Sequence, residues 1–82
     1  MNRDEALQGL QTVFDDVFME KVVVTPELSA DDVEEWDSIL HISLMIAVER
    51  AFKVRFRVGE VESLKNVGEF ATLICKRLNG AG

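Results

Sequence analysis

The side chains of this chain best suited to chemistry are a serine at the head of an apolar run, Asp37-Ser38-Ile39, and a single histidine three residues on, His41. A serine hydroxyl becomes a nucleophile only when a base takes its proton and a further group orients that base. On a helix His41 would neighbour Ser38, yet no carboxylate is assured to orient it and no G-x-S-x-G turn is present, which disfavours hydrolysis. Accepting a group is easier, because another enzyme then supplies the base. A phosphodiester on Ser38 would lie at the N-terminus of the helix that follows, where dipole and free N–H groups favour an anion. Local chemistry alone still favours the plainer description, an exposed first-turn serine. The lone Cys75 cannot form an internal disulfide, and no cluster of metal-binding spacing surrounds His41, so neither a disulfide nor a metal site is expected.

The elements that must position Ser38 follow from periodicity. Leu7, Leu10, Val13, Phe14, Val17 and Phe18 recur at three- and four-residue steps, predicting a helix from Asp4 to about Met19. Val22-Val23-Val24-Thr25 then favours extended backbone, and Pro26 disfavours helix at the residue before it. A strand there would lack a partner. The connection from Val22 to Trp36 is long for a compact domain and is expected to be pinned by Leu28 and Val33, with Asp31, Asp32, Glu34 and Glu35 as a solvated face or short helical turn.

Asp37 is a preferred N-cap, so a second helix is expected from Ser38 to about Lys53. At about 100° per residue, Leu40, Leu44, Ala47, Val48, Ala51 and Phe52 face the core. Ile39, Ile42 and Ile46 fall with Ser38, Ser43, Glu49, Arg50 and Lys53 on the opposite side, an apolar stripe that only water or a partner could meet. Val54, Phe56 and Val58 alternate with arginines but have no strand to pair with, so an extended linker is expected. Glu60 to Leu64 suffices for one short helix. Asn66-Val67-Gly68-Glu69 resembles a capping box, starting a last helix whose Phe70, Leu73, Ile74 and Leu78 point inward, with Cys75 a buried structural thiol and positions 79–82 a cap and loose tail.

Eighty-two residues suit one small domain, 1–82, with 48% apolar and 29% charged residues. Nine Lys and Arg against fifteen Asp and Glu leave a net charge of −6, the wrong sign for a nucleic-acid partner. No secretion signal or membrane span is expected, and the single cysteine fits a reducing, cytoplasmic setting.

Several short segments together resemble the acyl carrier protein family. Asp37-Ser38-Ile39 is similar to its Asp-Ser-Leu attachment motif, and Trp36-Asp37-Ser38-Ile39-Leu40-His41 to the Trp-Asp-Ser-Leu-x-His form of stand-alone carriers. Ala47-Val48-Glu49-Arg50-Ala51-Phe52 fits the family's Ala-Leu-Glu-Glu-x-Phe, and Leu64 to Glu69 its Thr-Val-Gly-Asp-like helix start. The resemblance implies an all-α four-helix bundle of three longer helices and one short one, with a long loop between the first two and a core cavity that shelters part of an acyl chain. It implies a non-enzymatic monomer bearing 4′-phosphopantetheine on Ser38, attached from coenzyme A by a phosphopantetheinyl transferase. Asp37 would cap the helix and assist that transferase. Acyl-activating, synthase or acyltransferase enzymes would dock on Ile39, Ile42, Ile46 and Glu49. Where many fatty-acid-synthesis carriers have carboxylates, this chain has Leu40, Ser43 and Arg50, which points to a dedicated carrier in a specialised pathway, such as polyketide-like or lipid biosynthesis or amino-acyl transfer chemistry. The alternative is an unmodified helical adaptor that binds a protein through the isoleucine stripe.

Overall fold

The computed structural model describes residues 2–57, 59–61 and 63–79. Three α-helices, α1 (Arg3–Val17), α2 (Ser38–Phe52) and α3 (Val67–Asn79), are joined by long connections, the first of which contains a single 3-10 turn, Ala30–Asp32. No strand occurs among the described residues. The architecture is therefore the expected all-helical one, and α1 packs against both α2 and α3. No described helix is long and apolar enough to cross a membrane.

α1 starts one residue earlier than its apolar period implies, because Asn2 caps it: the Asn2 side chain accepts from Glu5 N–H and the Glu5 carboxylate accepts from Asn2 N–H. The signal was legible in Asn2-Arg3-Asp4-Glu5. The helix also stops at Val17, short of Met19, since the carboxylate of Glu35 takes the N–H groups of Met19 (2.9 Å) and Glu20 (3.1 Å) and draws that segment away.

One core is formed by the inner faces, with Leu10, Phe14, Leu44, Val48, Val67 and Ile74 fully enclosed. Each such side chain contributes about 1.5–3 kcal/mol by leaving water. Gly9 lets α1 approach α2 closely; a Cβ there would meet the Phe52 ring at 2.6 Å. Two expected core positions are corrected. Ala51 is exposed, bordering a shallow groove between α1 and α2 that its methyl is too short to fill. Leu78 is more than a third exposed, in the final turn of α3 beyond Ile74, the last residue of that helix to be buried. Cys75 is half-buried at the margin of the core rather than enclosed in it.

The valine run Val22–Val24 forms no strand, yet its backbone is paired. Gln11 in α1 donates through Nε2 to Val22 O (2.8 Å) and accepts through Oε1 from Val24 N–H (2.9 Å), standing in for a neighbouring strand. Val33 is buried and Leu28 half-buried, pinning the loop as expected. Beyond them the loop is fixed to α3: Val67 N–H donates to Leu28 O at 2.8 Å and Gly68 N–H to Pro26 O at 2.9 Å.

α2 ends at Lys53, whose φ of 58° places it in the left-handed region that usually calls for glycine. Residues 54–57 then form neither helix nor strand, with Val54 buried and Phe56 seated 5.6 Å from the ring of Phe70. Val58 and positions 80–82 lie outside the described residues. The short helix expected over Glu60–Leu64 is, at its described positions, a succession of turns closed by Glu60 N–H to Arg57 O (3.1 Å) and Leu64 N–H to Val61 O (3.0 Å). The segment is tied down by side chains instead. The Glu60 carboxylate accepts from Arg57 N–H and pairs with the Arg77 guanidinium, and these contacts, the Arg57 N–H first, hold it below its usual value of 4.5.

Candidate functional site

Four consecutive residues, Glu35 to Ser38, build the site, each with a separate task. Glu35 clamps the end of α1 as described. Trp36 drives its indole against the core, edge-on to Phe14 and Phe18 with centroids 5.4 and 5.8 Å away. Asp37, with extended backbone, accepts from Leu40 N–H through Oδ1 at 2.8 Å and so caps α2. Ser38 is left over. Its side chain is exposed at the first helical position, and no hydrogen bond engages its hydroxyl within the described residues.

The indole of Trp36 also donates from Nε1 to His41 Nδ1 at 3.1 Å, and the two rings stack with an interplanar angle of 20°. His41 thus packs beside the serine without bonding to it. The opposite ring nitrogen, Nε2, is buried and has no hydrogen-bond partner among the described residues. Leaving such a donor or acceptor unpaired costs about 1–3 kcal/mol.

Ser38 opens onto a cleft of about 630 Å³. One wall is the start of α2 with Trp36, His41 and Ile42; another is the loop at Ser29 and Ala30; the far wall is Val61, Leu64, Val67 and Phe70 with Lys65 and Asn66 at its edge. The cleft exists because α1 holds α2 and α3 at a distance at which they scarcely touch each other. The far-wall residues were not legible as site residues, since their only local signal is an inward stripe belonging equally to a core.

Along the outer side of α2, Ile39 is 77%, Ile42 61% and Ile46 48% exposed, the stripe expected from the helical period. Glu49, expected on the same face, is half-buried and accepts from Phe56 N–H through Oε2 at 2.9 Å, so one of its oxygens already serves the chain. Arg50, Lys53 and Arg55 are exposed around it and make no ion pair within the described residues.

No protein-family model matches the chain, and no curated protein does. Among solved structures, the solution structure of a holo acyl carrier protein from Geobacter metallireducens matches with a TM-score of 0.73 at 39% identity. The match covers 94% of this chain and 85% of that one.

Proposed function

Since this chain belongs to the acyl carrier protein family, we propose that Ser38 is its attachment point for 4′-phosphopantetheine and that the protein shuttles acyl thioesters between partner enzymes. As a member of that family it is a carrier and not an enzyme. The observation that carries the assignment is the exposed, unbonded hydroxyl of Ser38 at the head of a capped helix, opening onto a cleft.

The residues present fit such a group. A phosphodiester at Ser38 would meet first-turn N–H groups that have no intrahelical acceptor, at the positive end of α2. Asp37 fixes the first turn and so presents Ser38 to a transferase. In the attachment, Ser38 Oγ bonds to the phosphorus of the phosphopantetheine half of coenzyme A; the bond from that phosphorus to 3′,5′-ADP breaks, and the serine proton goes to a base of the transferase. The arm supplies a thiol on which acyl groups ride as thioesters. Val61, Leu64, Val67 and Phe70 give the cleft an apolar wall against which part of an acyl chain can leave water.

Ile39, Ile42 and Ile46, with the free oxygen of Glu49 at their edge, form the docking face for the transferase and for the acyl-activating, synthase or acyltransferase enzymes that follow. A small apolar centre suits partners that must leave quickly. Arg50, Lys53 and Arg55 lie around it, and the one acidic side chain of α2, Glu49, already holds Phe56 N–H, so enzymes with basic docking patches fit poorly. This supports a dedicated carrier in a specialised pathway over housekeeping fatty acid synthesis.

Intact mass after incubation with coenzyme A, magnesium and a broad-specificity phosphopantetheinyl transferase tests the reading. Wild type should gain one phosphopantetheine, while Ser38→Ala should keep its helicity and gain nothing. A wild type that stays unmodified with several transferases, as an adaptor would, overturns the proposal.

A further inference from the structure

Of the side chains around the cleft, His41 alone has a ring nitrogen whose hydrogen bonding is incomplete. Its Nδ1 accepts from Trp36 Nε1–H at 3.1 Å, and an indole nitrogen is only ever a donor. The lone pair must therefore be on Nδ1, which leaves the proton of the neutral ring on Nε2. That Nε2–H is shielded from solvent and has no acceptor among the described residues. Nor is the ring free to search for one, because it stacks on Trp36, itself wedged against Phe14 and Phe18.

A buried, oriented donor without a partner, in a residue of the cleft wall, is matched to something that enters the cleft. We propose that His41 is a binding residue of that cleft and that its Nε2–H donates a hydrogen bond to a neutral carbonyl oxygen of the chain tethered at Ser38. A neutral acceptor suits the cleft because Ile42, Val61, Leu64 and Phe70 make its lining mainly apolar, with Lys65 at its edge, and an anion loses more hydration on entering such a place. Nε2 is buried in the unoccupied chain, so an acceptor meets it only if the occupant displaces the side chains that cover it, and the donor would then discriminate between chains by where they carry a carbonyl. This rests on Ser38 being the attachment site, and it adds a residue that selects cargo. The carbonyl has two possible sources, an amide of the arm or the acyl group itself.

Nuclear magnetic resonance of protein with isotope-labelled histidine separates these, using the unmodified, phosphopantetheine-bearing, octanoyl-loaded and 3-oxo-octanoyl-loaded forms, each verified by intact mass. The unmodified form should show the tautomer protonated on Nε2. On loading, the Nε2–H proton resonance should move downfield and exchange more slowly with water. A shift already present with the bare arm supports the inference with an arm amide as acceptor; a shift appearing only on acylation supports it with the cargo as acceptor. An Nε2–H resonance unchanged in every loaded form, or a ring protonated on Nδ1, overturns the role of His41 and leaves Ser38 as the attachment site. A protein that never gains the mass of the arm overturns both.

Discussion

Two helix N-termini border the same cleft, and they are finished in opposite ways. At the start of α3, Asn66 Oδ1 accepts from Glu69 N–H, the Glu69 carboxylate accepts from Lys65 N–H, and the N–H groups of Val67 and Gly68 donate to the carbonyls of Leu28 and Pro26. Every early donor but one is thereby closed off by the protein itself. At the start of α2, Asp37 takes Leu40 N–H through its carboxylate and His41 N–H through its carbonyl, the N–H groups of Ser38 and Ile39 have no acceptor among the described residues, and the serine side chain stands in water. The difference assigns the roles. α3 is sealed where it anchors the long loop, and α2 is left open where the phosphodiester proposed for Ser38 would sit.

Disturbing the sealed end should have the largest effect on stability. A Cβ at Gly68 would lie 2.9 Å from Pro26 O, a backbone atom that cannot turn aside. Gly68→Ala should therefore lower unfolding free energy by about 2 kcal/mol, within the usual range for overpacking, as measured by denaturant titration. Gly9→Ala should be milder, because its clash is with the end of the Phe52 ring, which can tilt. At the open end, Asp37→Ala removes the principal cap and should lower stability by about 1 kcal/mol. Asn66→Ala should lower it by about half as much, since α3 retains its bonds to Pro26 and Leu28. Equal losses at the two caps would erase the distinction between a sealed and an open helix start.

The open end was the more legible of the two in the sequence, for a physical reason. Asp37 as cap, Ser38 as first residue and the Ile39, Ile42, Ile46 stripe all depend on spacings within one helix, which periodicity reports directly. The sealed end depends on residues about forty positions apart: nothing near Gly68 says that it must meet Pro26. The same holds for Gln11 pairing with the valine run, where a polar side chain meets its partner only after the loop has folded back. Ala51 and Leu78 were misplaced because a helical period gives direction and not depth. It cannot say where along a helix its neighbour ends.

The exposed stripe carries a smaller effect on stability. Ile46 is half exposed, and a polar replacement at such a site usually changes stability by no more than about 0.5 kcal/mol. Ile46→Glu should therefore melt within a few degrees of wild type while losing about tenfold in transfer to a cognate enzyme, the size expected from one central apolar contact. A large fall in melting temperature would show that α2 is held by this face after all and would weaken its assignment to docking.

The smallest effect is expected at the far wall of the cleft, where Glu60 binds the turn segment to α3 through Arg77 and to Arg57 N–H. Its carboxyl is held below 4.5 in the folded chain, chiefly by the Arg57 N–H and then by Arg77. A carboxyl with a lowered folded value binds a proton more readily when unfolded. Its stabilisation is thus complete above about pH 4.5 and disappears as pH falls through the lower folded value. Glu60→Gln should accordingly be slightly less stable than wild type at neutral pH, and the two thermal midpoints should converge as pH is taken below 4.5. A gap that persisted unchanged in acid would mean that the pair owes its effect to shape rather than charge. The wall opposite Ser38 would then be fixed by packing alone, unlike the loop, which backbone hydrogen bonds tie to α3 at Val67 and Gly68.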